Sequence, residues 1–129
     1  MSTLRTNALE GVDAKNSITI VAGAGNITTT NVQEGLLKCW ISTPADGASV
    51  DDSFNVSSAT DAATGQVTVN INNDMANADY SISMSTHTNV DQTLIPNDSQ
   101  TTSSYSMRTW NGSAYVDIGM RTMAAGDLA

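Results

Sequence analysis

Few residues in this chain have the types that chemistry needs. The 129 residues include one histidine, His87, and one cysteine, Cys39. Ser85 and Asp91 lie near His87, and Ser, His and Asp are the types a nucleophilic hydrolase assembles. Their order and spacing match no such motif, and Gly-x-Ser-x-Gly is absent. His87 is therefore expected in a solvated loop, with no catalytic residues in the chain. A lone histidine also removes paired-His metal sites. Asp51-Asp52 could offer oxygens to calcium, but the Asp-x-Asp-x-Asp-Gly loop is missing, so a solvated turn is expected. Cys39 cannot form an internal disulfide and sits beside Trp40 in an apolar run, which reads as a buried structural thiol. No metal and no cofactor are expected.

Aromatic and thioether side chains are the other candidates. Apolar sugar faces stack on exposed rings. Tyr105, Trp110 and Tyr115 gather around the last predicted hairpin and are the candidate surface contacts, although rings in a small β-domain also serve as core or interface. Met75, Met84, Met107, Met120 and Met123 lie in or beside strands. They suit either core filling or subunit contacts.

Charge excludes several partners. Thirteen acidic residues stand against five basic ones, a net charge of −8. The basic residues are scattered, with no stripe to neutralise phosphates, so neither nucleic acid nor an anionic membrane surface is expected as a partner. No run approaches the ~18 apolar residues of a membrane span. Met1-Ser2-Thr3-Leu4-Arg5 leads into no apolar h-region, so no signal peptide is expected and synthesis in the cytoplasm is. The apolar fraction is 40%, with two Trp, three Tyr and one Phe. So few large side chains imply thin layers, or burial completed by other subunits.

The elements that must position these residues read as strands. Phe54, Val56 and Ser58 share one face of an extended run, and Val67, Val69 and Ile71 share another. The Asp61–Gly65 segment between them makes a hairpin. Predicted strands are Ser53–Ala59, Gln66–Asn72, Tyr80–Thr86, Ser103–Trp110 and Ala114–Thr122, with Leu36–Ser42 entering the sheet before them. Asn111-Gly112 is a strong two-residue hairpin signal for the last pair. His87–Thr102 reads as a long polar loop around Pro96-Asn97-Asp98, of the kind that carries function. Upstream, Leu4–Leu9 and Ser17–Val21 read as short strands and Ala22–Asn26 as a turn or linker. Thr29–Leu37 admits a short helical turn capped by Thr30 or Asn31 and ended by Gly35.

The fold class expected is all-β: a small antiparallel β-sandwich or barrel with an extended N-terminal arm. Residues 1–30 form the arm and 31–129 the β-domain. Trp40, Phe54, Val56, Val67, Val69, Ile71 and Tyr80 are the expected structural core.

The order of residues resembles a module of tail-fibre and other virion-surface proteins of tailed bacteriophages, of marine or cyanobacterial type. Lys38-Cys39-Trp40-Ile41, Ser53-Phe54-Asn55-Val56-Ser57-Ser58, the Asp61–Gly65 turn with Gln66–Ile71, and Met75–Tyr80 carry it, over about a third of the chain. Leu4–Asn7 and Ser17–Ile20 resemble the short leaders of such modules. The Pro44–Val50 turn departs from the pattern, which is richer in Asn and Gly. The resemblance implies a virion structural protein, assembled in the host cytoplasm as a homotrimer. Residues 1–30 would join other virion proteins, and a host-surface glycan is a candidate partner. A tail fibre and a capsid decoration (cement) protein both fit; an enzyme or lectin-like domain is the reading from another class.

Overall fold

Runs of alternating β-branched and polar residues become strands in the computed structural model. It describes residues 6–8, 19–22, 28–31, 35–45, 49–87, 93–97 and 99–129, of which 19–22, 28–31 and 93–97 are described by backbone alone. By contact the chain falls into two compact units, Met1–Leu36 and Leu37–Ala129.

In the first unit β1 (Thr19–Ala22) pairs antiparallel with β2 (Thr28–Asn31), Thr19 opposite Asn31. Thr30 and Asn31 are thus strand residues, not helix caps, as the β-branched run Thr28-Thr29-Thr30 favours. Thr6, Asn7 and Ala8, from the predicted first strand, are in none. The Thr6 hydroxyl instead bonds the Ala8 carbonyl at 2.6 Å, a local turn that competes with strand pairing. The rest of that segment, the predicted turn or linker apart from Ala22, which ends β1, and most of the expected arm lie outside the described residues.

The second unit is a sandwich of two antiparallel sheets. Its strands are β3 (Cys39–Ser42), β4 (Asp52–Phe54), β5 (Val56–Ala63), β6 (Gln66–Ile71), β7 (Ser81–Thr86), β8 (Thr93–Asn97), β9 (Ser104–Trp110) and β10 (Met120–Ala125). One sheet runs β4-β3-β10-β7 and the other β5-β6-β9-β8. The fold is all-β, as expected.

Between the sheets β3, β6, β9 and β10 contribute every second residue, because successive side chains point to opposite faces. Val67, Val69 and Ile71 come from β6, and Tyr105 and Met107 from β9. Facing them are Cys39 and Ile41 of β3 and Met120 and Ala124 of β10. Tyr80 and Met75 close one end, and Val56 packs against the cluster partly buried. Burying such side chains contributes roughly 1.5–3 kcal/mol each, so this layer holds the domain together.

Three predicted elements come out differently. The single strand predicted over Ser53–Ala59 is two strands in different sheets, divided at Asn55. Asn55 has φ 56°, a left-handed conformation that Asn tolerates better than most residues. Its side-chain amide donates to the Lys38 carbonyl at 2.9 Å and accepts the Asn73 amide at 2.8 Å. This kink turns Phe54 outward while Val56 enters the core.

The predicted last hairpin is reduced to one bridge. Asn111 does form a turn, its Oδ1 accepting the Ala114 amide at 2.8 Å. Pairing stops after Trp110 meets Tyr115, and the chain crosses to the opposite sheet before β10 begins. Gly119 allows that crossing: a Cβ there would lie 2.7 Å from the Thr43 carbonyl and 2.8 Å from the His87 Cβ.

The loop predicted over His87–Thr102 contains β8, paired with β9. Thr93-Leu94-Ile95 suits a strand by type, and Pro96 is tolerated because β8 is an edge strand.

Candidate functional site

Cys39 and Ile41 point inward from β3, so Trp40 and Ser42 must point outward. On β10 Met120, Thr122 and Ala124 are buried, so Arg121 and Met123 point outward as well. Strand register then sets two rows across the outer face of the β4-β3-β10-β7 sheet. Phe54, Trp40, Met123 and Ser83 oppose one another in sequence along the first. Asp52, Ser42, Arg121 and Ser85 do so along the second.

Phe54 is 53% exposed and Met123 45% exposed, with Trp40 half-buried between them. A groove of about 500 Å³ opens over Trp40 and Met123, with Asp52, Ser42 and Arg121 on its rim. Contiguous apolar side chains on an open sheet face mark a contact surface. Asp52 and Arg121 flank Ser42 on opposite sides, about 10 Å apart by strand spacing. Neither joins an ion pair among the described residues. One Asp52 carboxylate oxygen accepts the Ser53 amide at 2.8 Å.

Among the residues described with side chains, the outer face of the other sheet is polar. Thr68 and Ser106 hydroxyls meet at 2.7 Å across β6 and β9. Asn70 donates to the Ser58 hydroxyl at 2.9 Å, and Arg108 Nε to Gln66 Oε1 at 2.9 Å. At one end Trp110 and Tyr115 pack edge to face, centroids 5.1 Å apart, and the Arg108 guanidinium lies 5.4 Å from the Tyr115 ring centre. These rings spend much of their surface on each other and on Arg108.

Of the three rings expected at the surface, Tyr105 is not there. It is 1% exposed, on the inward side of β9. Its hydroxyl meets the Thr122 hydroxyl at 2.7 Å and the Cys39 sulfur at 3.8 Å. Its ring packs against Tyr80 at 6.3 Å in a T-shape. Burial, reinforced by the neighbouring Cys39, pushes the Tyr105 phenol far above its ordinary range and that of Tyr80 to about 12. Burial likewise pushes the Cys39 thiol up, which keeps it protonated and unreactive.

Of the expected core, Val67, Val69, Ile71 and Tyr80 are buried and Val56 partly so, whereas Trp40 and Phe54 line the outer face. Two rings expected in the core thus line the outer face, and a ring expected at the surface occupies the core. Met123 entered the sequence reading only as one of five methionines suited to core filling or subunit contacts, and Arg121 had no place in it as a site residue. Their signal was the alternation of Met120–Ala124, readable only once the inward face is known.

The residues considered for chemistry do not converge. Ser85 and His87 are both exposed, and no hydrogen bond among the described residues joins them. His87 uses its backbone amide, on the Gly119 carbonyl at 2.8 Å. Asp91 lies outside the described residues. Asp51 is exposed and its amide donates to the Ser42 carbonyl at 2.9 Å, so it belongs to the β3–β4 connection. No three His, Cys, Asp or Glu side chains gather among the described residues.

No family model, no curated protein and no solved structure matches this chain.

Proposed function

We propose that this chain is a structural protein of a tailed-phage virion, of tail-fibre type, working without catalysis and assembling as a homotrimer. In this reading residues 1–30 join other virion proteins, and the β-domain faces outward, where a host-surface glycan is a candidate contact. The order of the four sequence pieces from Lys38 to Tyr80 suggests the family. The observation that carries the reading is the outward row of Phe54, Trp40 and Met123 on one sheet of a small, catalytically plain sandwich. Such a face serves a protein whose work is to hold others.

Electron microscopy of purified particles, with antibody against this chain, tests the proposal. Label on the tail or its fibres is the expected result. Label on the head would assign the chain to the decoration class instead. Particles without the chain would sink the virion reading altogether.

A further inference from the structure

We infer that the Trp40 face is where copies of this chain meet, around an axis that runs along β3. The number of copies, three, rests on the function proposed above; the choice of face does not.

The face is complementary to itself in a particular way. Flanking β3 are two halves with different chemistry. On one side β4 presents Phe54 and Asp52, and on the other β10 presents Met123 and Arg121. Phe54 and Met123 lie in the same row as Trp40, and Asp52 and Arg121 in the same row as Ser42. A rotation about an axis parallel to β3 keeps each row at its own height and brings one half against the other half of the next copy. Phe54 then meets a methionine sulfur, a favourable pairing for an aromatic ring. Asp52 then meets an arginine, which it lacks within its own chain among the described residues. Trp40, in the middle row position on β3, points at the axis.

The dimensions suit three copies. The strands β4, β3 and β10, spaced about 4.8 Å apart, make a face roughly 14 Å wide centred on β3. Three such faces closing a triangular prism each lie roughly 4 Å from the axis, close to half of the ~10 Å at which packed sheets normally stand. Side chains of the length of Trp40 fill that space. The polar face of the other sheet offers no such match, because its hydroxyls and amides already bond one another.

Light scattering on the full chain at micromolar concentration tests this. The wild type is expected at three times 13.5 kDa. Trp40→Ser with Phe54→Ser should give a monomer with an unchanged far-ultraviolet spectrum and a cooperative melt, since both side chains lie outside the core. Asp52→Arg and Arg121→Asp should each weaken the trimer at least tenfold. Both together in one chain should restore it, because the pair is made between copies and reversing both ends leaves it matched. A trimer untouched by the Trp40 and Phe54 changes overturns this inference and leaves the virion reading standing. If that same variant loses adhesion to host cells, the groove holds a saccharide instead. Charge reversals that do not compensate also overturn it. A trimer that behaves as expected but is missing from particles upholds the interface and defeats the virion reading. A monomeric wild type defeats the interface and the trimer together.

Discussion

On the β5-β6-β9-β8 sheet the outward hydroxyls and amides bond one another across strands, while on the β4-β3-β10-β7 sheet the outward row is Phe54, Trp40 and Met123, open to solvent. Both faces arise from the same period of two, and both cover the same buried layer. The polar face satisfies its own groups, so little is gained by covering it. The apolar face leaves surface in water that a partner would remove, at roughly 25 cal/mol per Å² of apolar area. The difference teaches that the core makes the sandwich stable, and that what the protein meets is decided by residues turned away from the core.

The largest expected effect breaks the layer under both faces. Tyr105→Ala removes a fully buried ring and should cost about 3–5 kcal/mol, enough to unfold a small domain. Tyr105→Phe keeps the ring and loses only the hydroxyl that meets Thr122 and Cys39, at about 1–2 kcal/mol. Denaturant titration of the two variants separates ring packing from the polar contact. Equal losses would place the stability in the hydroxyl.

Alkali attacks the same layer without mutation. The Tyr80 phenol is pushed up to about 12 in the fold, so the folded chain holds its proton where the unfolded chain releases it. This contribution is complete below the unfolded value of about 10 and is lost as pH rises through about 12. Tyr105 is shifted the same way. Cys39 is shifted up as well, and its unfolded thiol ionises from about 8.5, so stability measured by denaturant should be flat up to about pH 8 and then fall by at least about 2 kcal/mol by pH 12. A flat profile to pH 12 would mean that the phenols ionise freely in the fold.

A smaller effect belongs to the polar face. Ser106→Ala removes the hydroxyl bonded to Thr68 and should cost about 0.5–1.5 kcal/mol in melting experiments, with the mass in solution unchanged. A change of mass would make that face an interface too.

Phe54→Ala should have the smallest effect on the fold, under about 1 kcal/mol, because the ring is 53% exposed. By sequence alone the same change is expected to be among the worst, as the truncation of the only phenylalanine in mid-strand. A loss of several kcal/mol from the isolated chain would put Phe54 back in the core and erase the contrast between the faces.

The sequence by itself determined the all-β class and the hairpin of β5 and β6, because Gln66–Ile71 alternates cleanly and only one of its faces is apolar. Val67, Val69 and Ile71 were legible as core for that reason, and Tyr80 as a ring at the opening of a strand. Position relative to a second strand was needed for the rest. Cys39-Trp40-Ile41 is apolar on both faces, so alternation alone cannot say which side is inward, and ring size points the wrong way. Pairing with β10 decides it, since Thr122 and Ala124 go inward opposite Ile41 and Cys39 while Met123 goes outward opposite Trp40. Asn55 in its left-handed conformation parted Phe54 from Val56, and no local pattern marked that residue as the point where the chain changes sheets. The crossing after Tyr115 was likewise hidden behind a genuine Asn-Gly turn, and it set β9 and β10 on opposite sheets with Tyr105 sealed between them. Local residue types chose strands; only the packing of one sheet on the other decided which side of each strand faces the world.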